Sequence, residues 1–451
     1  MPSEQQPMIT WYEEQFGAFE KSLNGGRTSE IHALRRKGIA AFAALGFPTP
    51  RQEEWRFTNI APITKTAFQP SRQSADLSIV EDRIRPLLLA GAWHLVFVNG
   101  QFAPSVSHLA GLPAGVMVSA LSEALQKHPN EILPALGAVV RSDENAFTAL
   151  NTAFLQEGAF IAVRDGMDVE RPIQVLFAAH SPGGPTLIQP RNIVIGGARS
   201  RFTIVEQYVG VSEHPYLTNA VTEISLGARA VLEHDRVQEE SLEAYHVDSL
   251  QVHLRRDCRY TSTAVSLGGA IARSTIGTVL DDEGIECTLN GLLLATGTQL
   301  LDSHTAIDHA RPNCASHELY KSILDGQSHG VFNGKIFVRK DAQKTDAKQT
   351  NKTLLLSDDA VIDTKPQLEI FADDVKCTHG ATVGQLDDEQ IFYLRSRGIA
   401  EADARDILTY AFASDVIGRI AVEGVRTRLE PVIHARLSRA RTTEHARVHQ
   451  S

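Results

Sequence analysis

Cys377 and His379 form the most specific chemical pattern in the sequence, which reads Cys-Thr-His-Gly from residue 377. On an extended segment the side chains of residues i and i+2 project to the same side. A thiolate and an imidazole together suit zinc, copper, iron or an iron–sulfur cluster. Two ligands do not complete a four-ligand site, so either distant residues or a second chain must add the others. On the residues alone, a buried cysteine beside a structural histidine is the commoner outcome.

A second segment is also dense in possible metal ligands. On a strand, His304 and Asp308 would share a face, whereas His309 would point away. We therefore interpret the segment as polar residues at the edge or corner of a coil. Its members are His304, Asp308, His309, Cys314 and His317.

The remaining cysteines, Cys258, Cys287 and Cys314, form no CxxC pair with each other or with Cys377. This spacing disfavours a zinc ribbon or a thioredoxin-type redox site. We interpret all of them as reduced thiols in a cytosol-like compartment.

Two glycine-rich segments only partly match catalytic motifs. The sequence GQSHG at 326–330 fits GxSxG, but a strand pattern follows it where a nucleophile elbow needs a helix. We interpret this segment as a corner. The sequence GVFNGKI at 330–336 is one residue shorter than a phosphate loop, and Ile336 replaces the Ser or Thr that would hold magnesium. If the function requires ATP, another chain must hydrolyse it.

Short β-strands must position these residues. Between about 160 and 385, apolar β-favouring runs alternate with turn residues. The turns at Gly197, Gly227 and Asp257 lie 30 residues apart, and Glu283 follows after another 26. Such a period predicts a parallel β-helix with ~25–30 residues per coil. A propeller would need signatures that are missing here, and a β-sandwich is the remaining alternative.

Helical patterns flank this region. We predict a mostly helical N-terminal region at 1–155, a β-helix core at 156–386 and a C-terminal helical region at 387–451. Asp387 is the predicted N-cap of the first C-terminal helix, and Gly398 is its predicted end.

Two turn signals divide the N-terminal region. The sequence Asn-Gly-Gly at 24–26 separates two helical patterns, which carry Phe16 and Phe42 among their apolar residues. The apolar run 95–98 enters Asn-Gly at 99–100, which is the preferred two-residue turn of a β-hairpin.

Composition limits the function classes. The 451 residues include 44 Lys and Arg against 54 Asp and Glu, a net charge of −10. This balance argues against general binding to nucleic acid or to an anionic membrane surface. The apolar stretch 87–98 is much shorter than the ~20 residues that span a bilayer. The first residues lack the basic and then apolar segments of a secretory signal, so we expect a soluble, cytoplasmic protein.

The segment 303–399 resembles the SufB/SufD family of iron–sulfur cluster assembly proteins. The elements AQKTDAKQTNKTLLLSDDA, TKPQLEIFADDVKCTHGATVGQLD and FYLRSRGI are similar to the SufD branch of that family. Weaker similarity covers EEWRFT at 53–58 and GGARSRFTIVEQY at 196–208.

The resemblance implies a mainly β fold, with a right-handed parallel β-helix core between N-terminal and C-terminal helical regions. It also implies a scaffold rather than an enzyme. Such a scaffold pairs with a SufB paralogue through the C-terminal ends of the two β-helices, and the isolated chain is a possible homodimer. One copy of the SufC ABC-type ATPase binds its C-terminal helices and carries the ATPase activity. Sulfur reaches the assembly from a cysteine desulfurase.

The family's KCTHGAT segment coincides with Cys377 and His379. The resemblance implies that His379, with Cys377 as a second candidate, contributes ligands to iron or to a transient cluster shared with SufB. No cluster is expected to bind stably to this chain alone. The C-terminal apolar stripe either docks the ATPase or caps the open end of the β-helix. The docking candidates are Phe392, Tyr393, Leu394, Phe412 and Ile417.

A β-helix enzyme acting on polysaccharide is the alternative from another class. Clustered carboxylates at Asp281, Asp282 and Glu283 would serve as its acid–base groups. Extracellular lyases of this kind usually carry a signal peptide, which we do not expect here.

Overall fold

Helices and a few short strands come first in the computed structural model, which describes residues 6–23, 29–71, 77–181, 183–211 and 214–448. The predicted break at 24–26 lies outside these residues. The N-terminal helices are α1 (Gln6–Ser22), α2 (Glu30–Leu45), α3 (Ala61–Thr64), α4 (Leu77–Ile84), α5 (Leu121–Lys127), α6 (Pro129–Ile132) and α7 (Ala146–Ala153). The strands among them are β1 (Gln69–Pro70), β2 (Trp93–Val98), β3 (Gln101–Phe102) and β4 (Val116–Ala120). Short 3₁₀ helices lie at Glu53–Trp55 and Arg85–Leu87.

A long series of strands follows, and three helices end the described chain. The strands are β5 (Ala159–Val163), β6 (Ile173–Ala179), β7 (Thr186–Ile188), β8 (Arg191–Gly196), β9 (Arg201–Gly210), β10 (Tyr216–Leu226), β11 (Val231–Glu239), β12 (Tyr245–Leu254), β13 (Arg259–Ser266), β14 (Ile271–Leu280), β15 (Glu286–Ala295), β16 (Leu300–His309), β17 (Ala315–Leu324), β18 (His329–Val338), β19 (Asp346–Leu355), β20 (Val361–Ile370) and β21 (Lys376–Gly384). The C-terminal helices are α8 (Asp388–Ser396), α9 (Glu401–Ile417) and α10 (Glu423–Val448).

These strands form two facing sheets of parallel strands. One sheet runs in the order β20-β18-β16-β14-β12-β10-β8-β5 and is called the sheet of even-numbered strands, because its strands from β8 onward have even numbers. The other runs in the order β21-β19-β17-β15-β13-β11-β9-β6-β2 and is called the sheet of odd-numbered strands, because its strands from β9 onward have odd numbers. Register partners lie 26 residues apart between Tyr245 and Ile271, and 32 apart between His329 and Val361. One coil therefore contributes one strand to each sheet. The predicted parallel β-helix is confirmed, and the propeller and sandwich alternatives are wrong.

One corner of the coil has a left-handed residue in six successive coils. The φ angles there lie between 57° and 73°, at Arg199, Arg229, Asp257, Gly284, Asn313 and Lys344. Each coil's corner bonds to the next, as in Arg229 N–H to the Arg256 carbonyl at 2.7 Å. At Gly227 an added Cβ would lie 2.8 Å from the backbone nitrogen of Ala198. The turns predicted from periodic punctuation are therefore the stacked corners of the β-helix.

The helices cover the outer faces of the two sheets. Aromatic residues of α1, α2 and α7 pack on the sheet of even-numbered strands, against Leu217 and Val247. Residues of α9 and α10 pack on the other sheet, against Leu292 and Ile323 among others. Both sheets thus have two covered faces, which explains their continuous apolar runs. Of the C-terminal apolar stripe, Phe412 and Ile417 on α9 pack on the side of the β-helix and not on its open end.

The predicted hairpin at 95–100 and the predicted start and end of the first C-terminal helix are also confirmed. The β2–β3 hairpin turns through Asn99 and Gly100, both with positive φ, and β2 additionally pairs in parallel with β6. The sheet of odd-numbered strands therefore begins inside the region predicted to be mostly helical. The Asp387 side chain accepts a hydrogen bond from Glu389 N–H, and Gly398 has a φ of 86°. Within the described ranges, no helix combines the length and the apolar character needed to cross a membrane.

Candidate functional site

Cys377 and His379 lie on β21, in the last coil of the β-helix. They pair in register with Ala347 and Gln349 of β19, both of which are buried in the coil interior. Residues in register on neighbouring strands face the same side of a sheet, so Cys377 and His379 belong to the interior face. Among the described residues no strand pairs beyond β21. The interior face is therefore open here, and His379 is exposed.

The Cys377 thiol is half-buried at this open end. It packs against a small apolar cluster that includes Ile336, Val338 and Ala347. Burial raises the pKa of the Cys377 thiol above its usual value. The thiol is consequently protonated at neutral pH, and a nearby cation would be needed to favour the thiolate that binds metals.

The pair offers two donors of the types that iron accepts, an imidazole nitrogen and a sulfur. Within the part of the chain that the structure describes, no three His, Cys, Asp or Glu side chains converge on a common metal position. Cys377 and His379 therefore lie at the open end of the β-helix without a third possible ligand beside them among the described residues.

The other three cysteines are buried and free. The Cys258 thiol donates to the Gly227 carbonyl at 2.8 Å, which fixes it in a corner. The Cys314 thiol lies 3.1 Å from the Asp282 carbonyl oxygen in a neighbouring corner. Burial raises the pKa of Cys287 to about 12. These thiols are structural members of the coils.

The prediction that the ligand-rich segment 304–317 lies at an edge or corner is right for Cys314 but wrong for the others, which lie on β16 and β17 and bond to different partners. His304 lies 3.0 Å from an Asp302 oxygen, whereas Asp308 pairs with Arg339, which directly follows β18. His309 bonds instead to a buried serine on β17, at 2.9 Å.

The two glycine-rich segments are parts of the coil. Ser328 is buried in a corner, where its hydroxyl accepts from Asp325 N–H at 3.1 Å, and β18 follows it directly. The segment 330–336 lies within β18, in extended conformation. The prediction of a corner is confirmed, and neither segment has the geometry of its motif.

The three carboxylates at 281–283 also form part of a corner. Asp281 lies 3.1 Å from Arg255, and Arg256 pairs with both Asp282 and Glu283 at 3.0 and 3.3 Å. Arginines of the preceding coil neutralise these carboxylates. No observation therefore favours the polysaccharide-active enzyme.

The five docking candidates on the C-terminal helices differ in exposure. Phe392 and Tyr393 on α8 are 72% and 57% exposed, and Leu394 is half-buried. Phe412 is half-buried beneath the Lys321 ammonium, which lies 4.4 Å from its ring centroid. Ile417 is buried against the β-helix.

A buried polar pair beneath the site was missed by sequence reasoning. Gln349 Nε2 donates to Glu318 Oε2 at 2.5 Å, and both residues are fully buried inside the coil. Burial raises the pKa of Glu318 to about 7. The two residues lie 31 positions apart, so only the coil register reveals their contact.

The EEWRFT segment forms a second polar cluster, on the outside of the even-numbered strands. The Arg273 guanidinium stacks 3.8 Å from the Trp55 ring centroid and pairs with Asp302 at 2.5 Å. Thr58 donates to the same carboxylate, also at 2.5 Å. The EEWRFT motif of this cluster is visible in the sequence, but the contacts that the motif makes with Arg273 and Asp302 are not.

The sequence of this chain is similar to several known proteins. The family described as "SUF system FeS cluster assembly, SufBD core domain" matches residues 177–412, and "SufBD protein N-terminal region" matches residues 5–175. An iron–sulfur cluster assembly SufBD family protein of Synechocystis is 32% identical over 92% of this chain and 94% of its own length. The iron–sulfur cluster assembly protein SufD of Escherichia coli is 32% identical over 87% of this chain and 90% of its own, and SufD of Bacillus subtilis is 26% identical over 90% and 93%. The chain belongs to the SufBD family of the SUF iron–sulfur cluster assembly system.

Proposed function

We propose that this chain is the non-catalytic scaffold subunit of a SUF complex, in which it pairs with a SufB paralogue. The observation that carries the proposal is the position of Cys377 and His379 on the open interior face of the last coil. A partner that closes this end can complete the ligand set that the chain begins.

The open end has the properties of a pairing surface. β20 and β21 are the last strands of their sheets in the described structure, so each has a free backbone edge. Exposed apolar residues surround these edges, among them Val361, Phe371 and Val383. A free edge with apolar neighbours supports strand-to-strand association. The SufB paralogue is the proposed occupant, and a second copy of this chain is the occupant when the paralogue is missing.

Iron and sulfur are cargo in this proposal. His379 as a neutral imidazole ligates iron through one ring nitrogen. Cys377 supplies a thiolate once the bound metal lowers its pKa. A cysteine desulfurase delivers sulfur through the partners. The cluster is transient, shared with SufB, and not held by this chain alone.

The C-terminal helices are the proposed docking region for the SufC ABC-type ATPase. Phe392 and Tyr393 supply the exposed apolar contacts, with Leu394 and Phe412 beside them. Ile417 contributes by holding α9 against the β-helix. ATP hydrolysis belongs to that partner. The net charge of −10 argues against binding to nucleic acid or to an anionic membrane surface.

The experiment is co-expression with the SufB and SufC partners, followed by measurement of cluster formation after anaerobic reconstitution. We expect His379→Ala to reduce iron and acid-labile sulfide in the complex while the subunits still co-purify. His317→Ala is the matched control, because His317 is an exposed histidine on the same sheet. Normal cluster content in the His379→Ala complex would show that the proposed ligand role is wrong.

A further inference from the structure

A histidine that ligates a metal through one ring nitrogen usually donates the N–H of its other nitrogen to an acceptor, which fixes its tautomer and orientation. His379 lies on the last coil, and the coil beneath places a side chain in register with it on the same face. The residue in register beneath His379 is Gln349. Neighbouring strands lie ~4.8 Å apart, within reach of a glutamine and an imidazole on one face.

Of the two polar amide atoms of Gln349, the nitrogen is hydrogen-bonded and the oxygen has no partner among the described residues. Its Nε2 donates to Glu318 Oε2 at 2.5 Å. Its Oε1 is buried and accepts no hydrogen bond from the described residues. Buried acceptors without a donor are uncommon because each costs about 1–3 kcal/mol. Several buried polar atoms of the described residues have no partner, and Gln349 Oε1 is the one that belongs to the residue in register with His379.

The surrounding residues hold the Gln349 amide in place. An added Cβ on Gly334 would lie 2.3 Å from Gln349 Nε2, so the amide lies directly over this glycine. Gln349 itself is 2% exposed and Glu318 is 3% exposed, which leaves the side chain little freedom to rotate. With the nitrogen bonded to Glu318, the oxygen is the group that remains to accept from another donor.

We infer that Gln349 is a positioning residue for His379, whose Oε1 accepts the N–H of the ring nitrogen that does not bind iron. The inference rests on the proposed function and deepens it. Glu318 acts through Gln349, because its carboxyl group determines which end of the amide is free. Loss of such an acceptor typically costs ~10–100-fold in metal affinity or activity.

The test compares three variants in the complex with its SufB and SufC partners. Gln349→Leu removes the acceptor and keeps an apolar side chain of similar size. Gln349→Asn keeps a carboxamide with its donor and its acceptor, on a side chain that is one methylene shorter. Asn351→Leu is the matched control, since Asn351 is equally buried two residues further on the same face, with Ala381 as its register partner.

Two measurements are needed. The first is the ¹⁵N imidazole spectrum of His379 in the free chain, assigned by its loss in His379→Ala, which reports the tautomer without any metal. The second is iron and sulfide bound per complex as a function of iron concentration. We expect Gln349→Leu to shift the tautomer ratio towards that of a solvent-exposed imidazole and to weaken iron loading by ~10–100-fold. Gln349→Asn should lie between the native chain and Gln349→Leu in both measurements, and Asn351→Leu should change neither.

Two results would contradict the inference in distinguishable ways. If Gln349→Leu leaves the His379 tautomer unchanged and loads iron like Asn351→Leu, while His379→Ala still fails, Gln349 is not the positioning residue. If His379→Ala itself loads iron normally, the proposed function is wrong and the inference is wrong with it.

Discussion

Gly291 on β15 shows how single residues set the interior of this fold. It is in register with Tyr320 of β17, and a Cβ on Gly291 would lie 2.2 Å from the Tyr320 ring. Tyr320 in turn packs against Phe332, with ring centroids 4.8 Å apart. The glycine is required because the aromatic ring lies across its Cα.

We therefore expect Gly291→Ala to destabilise the protein by about 1–3 kcal/mol, the usual cost of overpacking a filled core. Urea unfolding followed by circular dichroism measures this change. Gly17→Ala is the control, because nothing lies within 4 Å of a Cβ at that position in α1. Gly17→Ala should be neutral or stabilising, by up to ~1 kcal/mol. Equal stability of the two variants would contradict the prediction.

Residue-scale predictions from the sequence succeed where they depend on neighbours along the chain. The common face of Cys377 and His379 follows from strand alternation, and the capping role of Asp387 follows from local helix chemistry. The Gln349–Glu318 contact depends on register between coils. That register is set by the lengths of the intervening corners, which a single sequence does not fix.

At the scale of elements, the segment around residues 53–58 acts as a clamp on the outer face of the even-numbered strands. Glu53 pairs with Lys365 on β20, and Glu54 lies 3.3 Å from His304 on β16. His304 also pairs with Asp302. Burial alone would lower the pKa of His304, but the carboxylates of Asp302 and Glu54 outweigh it and raise that pKa.

These ion pairs predict that the contact between the segment 53–58 and β16 weakens as the pH rises. A histidine whose pKa is raised on folding stabilises the native state fully below its unfolded value of ~6.5 and loses that contribution as pH rises through its folded pKa. We expect the melting temperature to fall on the alkaline side of neutrality more in the native sequence than in His304→Gln. Thermal unfolding between pH 6 and pH 9 measures both. Parallel pH profiles for the two proteins would show that His304 does not contribute.

The C-terminal helices give a second prediction at this scale. The rings of Phe392 and Tyr393 project from α8, whereas α9 and α10 are anchored through Ile417, Leu429 and other buried residues. The double substitution Phe392→Ala and Tyr393→Ala should therefore abolish co-purification of the SufC ATPase without lowering stability. Leu242→Ala is the control, as an exposed apolar residue in a corner. Undiminished ATPase binding by the double variant would contradict the docking assignment.

At the scale of the whole molecule, the β-helix is closed on its sides and open at its C-terminal end. Phe371 is 58% and Val383 is 50% exposed there, next to the free strand edges. The periodic turns predicted this solenoid. Pairing through its C-terminal end, which the family resemblance implies, stays a prediction. The placement of the helices on the sides could not be predicted, because an apolar stripe fits an end or a flank equally well.

We expect Phe371→Lys with Val383→Lys to prevent pairing at the open end, because two charges would have to be buried there. Size-exclusion chromatography with light scattering, on this chain alone and with its SufB paralogue, measures the loss of the dimeric species. Leu242→Lys, a charge introduced at an exposed apolar residue in a corner, should leave pairing intact. Dimers of normal abundance in the double variant would place the pairing surface elsewhere.

The repeated corner has a consequence for how the length of this protein can change. Six successive coils repeat the same left-handed corner, and the backbone of one corner is hydrogen-bonded to the backbone of the next. Duplication or loss of one complete coil would therefore preserve every corner while moving the His379 end by one strand spacing, ~4.8 Å, relative to the helices on the flanks. The number of coils therefore sets the distance between the flank helices and the open end, and this distance changes only in steps of one strand spacing.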